Sequence, residues 1–143
     1  MAEKPVWPIF WALMGVFVVV VCLFTIPPAR EAVMGLLFMV VAGVVLLVLG
    51  ALLLVFTVRQ KRRSMIRGFL LLTGAATVGI PVCAVLHNAV YGLFIYWFGA
   101  GFWNGGDEPF FFIMATIVCP LGFIVGVVGS LVLAVRQRRV AAP

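Results

Sequence analysis

The chain has 143 residues, 66% of them apolar and 10% charged, with a net charge of +6. Soluble domains carry charge on about a quarter of their residues, and no fold of this length hides so much apolar surface, so lipid is the expected solvent. The length allows one unit with no separate soluble domain. The basic residues cluster beside apolar runs, as VRQKRR at 58–63 and VRQRR at 135–139, which suits anionic lipid headgroups and argues against nucleic acid.

Four apolar runs follow in chain order, at about 6–26, 32–58, 69–97 and 109–135, each long enough for the ~20 residues that cross a bilayer. The first is too long for the apolar part of a secretory signal, and no A-x-A cleavage site follows it, so it reads as a true span. PPARE (27–31) turns the chain with two prolines. The second run ends at a short basic loop, 59–68. The third ends at a glycine-rich outer loop, 98–108, whose acids precede Pro109 at a helix start. The expected fold is an all-α integral membrane protein. It is a four-helix bundle running up-down-up-down with short loops, and residues 1–143 form one membrane domain.

Charge placement orients it. With both termini on one face, that face carries Lys4, Arg59, Lys61, Arg62, Arg63, Arg67, Arg136, Arg138 and Arg139. The other face has Arg30 alone among basic residues, with Glu31, Asp107 and Glu108. The positive-inside rule makes the first face cytoplasmic, and the last eight residues of its basic set, from Arg59 on, are the expected contacts with anionic headgroups. Trp7 and Trp11 then fall near the inner boundary, and Tyr96, Trp97 and Trp103 near the outer one, where aromatic belts form. The cell membrane is the expected location.

At an offset of 77 residues, Glu31 falls on Glu108, Val58-Arg59-Gln60 on Val135-Arg136-Gln137, and Arg62 on Arg139. This pattern suggests two related hairpins. Any two apolar spans running the same way would also match in this manner.

Apolar helices associate in lipid through small residues and interhelical hydrogen bonds. Span 4 supplies Gly122, Gly126 and Ser130 at four-residue intervals, and span 2 places Gly43 and Gly50 on one face. Pro81 and Pro120 interrupt spans 3 and 4.

The polar residues within the spans are few. His87 is the single histidine, and Cys83, His87 and Tyr91 share one helical face. With spans 3 and 4 antiparallel and their outer ends level, His87, Asn88, Thr116 and Cys119 lie within reach of one another, and Tyr91 and Glu108 sit nearer the mouth. These six form the candidate polar pocket. The acids are expected at the outer boundary, away from the imidazole. One reading makes His87 and Asn88 interhelical hydrogen-bonders that set the register. The other makes the pocket a proton-carrying or ligand-binding site.

No metal or cofactor is expected, because His87 and Cys119 make only two ligands and no CxxC or HxxxH completes a set. Cys22, Cys83 and Cys119 all lie in apolar runs and suggest neither a disulfide framework nor a redox motif. No nucleophile has an evident base with an orienting acid, so no enzyme activity is expected. The leading expectation is a non-catalytic membrane protein that assembles with a membrane partner or with itself. The alternative is a small transporter or channel built around His87.

Overall fold

The computed structural model describes residues 6–28, 31, 35–60 and 64–141. The described chain is helical, without strands: α1 (Val6–Thr25), α2 (Leu36–Val58), α3 (Met65–Phe98), α4 (Pro109–Ile113) and α5 (Cys119–Ala141). One π-helical turn, Met114–Val118, joins α4 to α5, so that α4, the turn and α5 make a single last span. Four stretches are long and apolar enough to cross a membrane: Val6–Thr25, Leu36–Val58, Met65–Phe98 and Pro109–Arg139.

Two span boundaries differ from the sequence reading. Helix α3 begins at Met65, within the expected basic loop, because the Ser64 hydroxyl accepts the backbone N–H of Arg67 (3.3 Å) and caps the first turn. The Arg67 guanidinium then reaches back to the Val58 carbonyl at the end of α2 (3.1 Å), satisfying an acceptor that the helix terminus leaves open. The last span runs on past residue 135 into the basic tail, where Arg138 and Arg139 occupy the final turn. Lys61, Arg62 and Arg63 lie outside the described residues, as do Lys4, Arg30 and three residues of the expected second span, 32–34.

The π turn has a local cause. Pro120 has no N–H, and its ring crowds the carbonyl four residues back, at Thr116. The backbone widens upstream, and the Cys119 N–H bonds the Met114 carbonyl, five residues back. The extra residue rotates α4 relative to α5 and decides which side chains of α4 face α3.

Close contacts at glycines set the register between the helices. Gly50 and Gly74 meet where α2 crosses α3, and a Cβ on either would come within 3.2 Å of the other's carbonyl oxygen. Gly43 lies against Pro81 further along the same contact. Between α3 and the last span, Gly129 lies against the Phe69 ring, Gly126 against Thr73, Gly122 against Ala76 and Gly79 against Cys119. The expected packing residues Gly43, Gly50, Gly122 and Gly126 therefore serve contacts inside the bundle. Ser130, one turn beyond Gly126, is fully buried.

Helix α1 buries residues of its first half, and Phe17 stacks on Phe123 at 4.1 Å. Val6, Phe10 and Leu13 are buried with Leu46, Leu53, Leu70, Phe123 and Val127. Between α1 and α2 lies an open apolar groove of about 330 Å³ lined by Gly15, Val19, Leu23, Phe38 and Val45. The core thus lies toward the end of the bundle that carries Arg59, Arg67 and Arg136, called here the basic end. Glu31, Asp107 and Glu108 mark the opposite, acidic end. The paired hairpins of the 77-residue repeat differ in build: α1 has 20 residues against 34 in α3, and α2 is unbroken where the last span has a π turn.

Candidate functional site

Helix ends locate the site. Seven residues on from the Gly43–Pro81 contact, about 10 Å, α2 reaches its first residue, Leu36, and α3 reaches Asn88. Helix α1 ends nearby, with the Phe24 ring 6.3 Å from Phe38, and the last span begins at Pro109 beside His87. Three spans therefore terminate at the level of His87 and Asn88. Among the described helices, α3 continues beyond this level, for ten further residues to Phe98, about 15 Å.

The loop after α3 folds back along this projection. Gly99 (φ 87°) caps the helix, with its N–H on the Ile95 carbonyl. Tight turns follow from Phe102 to Gly99, Asn104 to Gly101 and Gly106 to Trp103, and they use positive φ at Asn104 (49°) and Gly105 (76°). Trp103 docks on α3: its indole stacks on Tyr91 at 6.0 Å and its Nε1–H donates to the Tyr91 carbonyl (3.4 Å). Phe94 packs against both Phe102 (5.0 Å) and Trp103 (5.6 Å). The result is an aromatic hairpin, 88–108, with its own small core. On its outside, Tyr96 is 83% exposed, with Trp97, Phe98 and Phe102 also exposed.

At the base of this hairpin the loop delivers Asp107 and Glu108 to His87. This corrects the expectation that the acids stay away from the imidazole. The outer ends of spans 3 and 4 are not level, because the folded-back loop starts the last span some 15 Å lower. His87 Nδ1 lies 3.0 Å from the Glu108 carbonyl oxygen and 3.3 Å from Glu108 Oε2, and Nε2 lies 3.3 Å from Asp107 Oδ2. The Phe112 ring covers the imidazole at 5.6 Å. The His87 and Glu108 side chains are 14% and 6% exposed, and Asp107 is 60% exposed.

Glu108 is also the N-cap of the last span. Its Oε1 accepts the Phe110 N–H (2.8 Å), its Oε2 accepts the Phe111 N–H (2.9 Å), and its own N–H donates to Asp107 Oδ1 (2.8 Å). One buried carboxylate thus holds the helix start and one edge of the imidazole together.

The rest of the expected pocket does not assemble. Asn88 is exposed, and its Nδ2 donates to the Ala84 carbonyl of its own helix (2.8 Å). Thr116 is exposed and donates to Phe112 of its own helix (2.7 Å). Cys119 is buried, two turns toward the basic end, with its sulfur where a side chain at Gly79 would stand. Asn88 and Thr116 fail as partners because each uses its donor on the carbonyl four residues back, which serves a polar group well in lipid. Tyr91 contributes through its ring and carbonyl rather than its hydroxyl. The group that forms is His87, Glu108 and Asp107, with Tyr91 and Trp103 above. Asp107 is expected only as a residue of the outer face, and the signal that places it beside His87 is the glycine content of 99–106, which lets the loop double back.

Among the described residues, no three His, Cys, Asp or Glu side chains are arranged to hold a metal ion. Asp107 and Glu108 address opposite edges of the ring, so the three side chains do not converge on one point. Compared with protein-family models, curated proteins and solved structures, the chain matches none.

Proposed function

We propose that this protein is a non-catalytic subunit that assembles with another protein of the same membrane and presents the aromatic hairpin to it. In this reading the four spans run up-down-up-down in the cell membrane. Both termini and the basic end face the cytoplasm and its anionic lipids, and the hairpin stands outside. The observation that carries it is the hairpin's height. Headgroups add only about 5–8 Å to each side of a ~30 Å core, and a helix tilted by 40° still lifts Phe98 about 11 Å above the other spans. An aromatic belt accounts for the base of the projection and leaves Tyr96, Trp97 and Phe98 in water. Exposed apolar patches of this kind mark contact sites. Aromatic residues are also those that anchor protein interfaces.

The test is purification from native membranes in mild detergent, with mass determination of the intact assembly. A stoichiometric foreign partner, lost when Tyr96, Trp97 and Phe98 are all changed to Ser, supports the reading. A homo-oligomer lost in the same variant makes the partner a second copy. A solitary monomer removes the proposal.

One observation favours a second reading, a small transporter or channel: a histidine held between two acids where three spans end. Proteoliposome flux that His87→Ala and Glu108→Gln leave unchanged would rule it out.

A further inference from the structure

Arginine meets the C-termini of two helices in this bundle. The Arg67 guanidinium bonds the Val58 carbonyl at the end of α2 (3.1 Å), and Arg138 and Arg139 stand in the last turn of α5. Cations suit this place, because the last carbonyls of a helix have no intrahelical donor and form the negative end of its dipole. Helix α3, with 34 residues, has no basic residue in its last turn. The Gly99 N–H takes the Ile95 carbonyl, and the Phe102 N–H turns to Gly99. Among the described residues, no backbone N–H reaches the carbonyls of Tyr96, Trp97 or Phe98.

The side chains at this helix end favour positive charge as well. Tyr96, Trp97 and Phe98 are all exposed. Phe98 packs on Phe94 and Phe102, whereas Tyr96 and Trp97 join none of the ring contacts among the described residues. The face of an aromatic ring attracts cations, that of Trp most strongly. The hairpin itself, 88–108, has two acids and no Lys or Arg, and neither occurs anywhere between Arg67 and Arg136. Asp107, at the hairpin's base, is the acid left exposed. Open carbonyls, ring faces and a carboxylate thus gather where the chain has no Lys or Arg of its own.

We propose that the partner of the aromatic hairpin docks through a basic segment, and that an arginine or lysine of this segment caps α3. The cation donates to the free carbonyls at 96–98 and lies across the Trp97 ring. A guanidinium fits best, because its plane stacks on an indole while its N–H groups reach the carbonyls. The partner then does for α3 what Arg67 does for α2. A choline headgroup also carries a cation, but it has no N–H to donate, and headgroups lie at the base of the projection. A second copy of this chain brings only Arg30 among the basic residues of its acidic end. A foreign protein is therefore the expected source.

The inference rests on the docking reading, and its test separates the two. The photo-reactive residue p-benzoylphenylalanine replaces Ala100, beside the helix end, and leaves every ring in place. Native membranes are illuminated, and the adduct is identified by peptide mass spectrometry. The same chain is then made with Trp97→Phe or with Trp97→Leu. Both keep an apolar side chain at an exposed position, but only Phe keeps a ring face.

The expected adduct joins a foreign membrane protein at a segment bearing an arginine or lysine. Trp97→Phe should retain it, and Trp97→Leu should reduce it about tenfold, the weight of a largely desolvated cation–π contact. Changing that arginine or lysine of the partner to Gln should reduce it as much. An adduct at a segment without a cation, or one equally strong with Trp97→Leu and Trp97→Phe, overturns the cap and leaves the docking reading standing. An adduct with a second copy of this chain also overturns the cap. Adducts with lipid alone, or none, overturn both.

Discussion

Glu108 shows how one side chain can carry two structural duties in a membrane protein. Its carboxylate takes the first free N–H groups of the last span, which have no intrahelical acceptor and, at a membrane boundary, little water to replace one. The same group meets the imidazole of a neighbouring span, so its loss should be felt in both helices. Glu108→Ala is expected to lower the stability of the bundle by about 1–2 kcal/mol, as cap removals do. Exchange at Phe110 and Phe111 should rise together with release of His87. Thermal unfolding in detergent with peptide-resolved exchange checks this. Fraying at 110–111 with an undisturbed imidazole signal would show that the cap and the histidine contact are independent.

At the scale of helices, the spans are joined by backbone proximity. Gly126 marks the closest backbone approach between α3 and the last span: an added Cβ would lie 2.7 Å from the Thr73 backbone nitrogen and 3.0 Å from the Phe69 carbonyl oxygen. Backbone atoms cannot swing aside as a flexible side chain can, so Gly126→Leu must push the helices apart. A loss of about 2–3 kcal/mol is expected. Gly15→Leu, with no atom within 4 Å of its Cβ position, should cost only what an exposed site costs. Unfolding of both variants in the same detergent gives the comparison, and equal midpoints would refute the assignment of Gly126 as the contact. The helices themselves were legible because continuous apolar runs bounded by Pro, Gly and Arg have one reading in lipid. Gly122 and Gly126 were legible as a small-residue stripe. The register between spans 3 and 4 was not, because it depends on the path of the loop between them. No periodicity encodes that path, so the sequence brought Asn88, Thr116 and Cys119 to His87 where the structure brings Asp107 and Glu108. The π turn was equally hidden: Pro120 announces a disturbance but not that the backbone absorbs it by widening a turn.

For the whole molecule, the decisive quantity is where the bilayer sits. Three spans end level with His87, and from Met65 that level is 22 residues up α3, about 33 Å, which matches a hydrocarbon core of ~30 Å. If the bilayer follows those three spans, the hairpin is extramembranous; if it follows α3, the hairpin is immersed and the other helix ends lie inside lipid. The second arrangement leaves Asp107 and Glu108, with the uncapped start of α2, at membrane depth, where unpaired polar groups are costly. Height should therefore be visible by labelling single cysteines with a membrane-impermeant maleimide, in intact cells, after Cys22, Cys83 and Cys119 are replaced by alanine. Ala100→Cys and Trp97→Cys should react at comparable rates from outside. Leu36→Cys, at the boundary, should react at least about tenfold more slowly. Ser64→Cys should react only after the cells are opened, because the basic end then faces the cytoplasm. Slow labelling at Trp97→Cys, as slow as at Leu36→Cys, would put the hairpin in lipid and remove the ground for a docking role. Labelling of Ser64→Cys from outside would invert the orientation and carry the hairpin and any partner to the other side of the membrane.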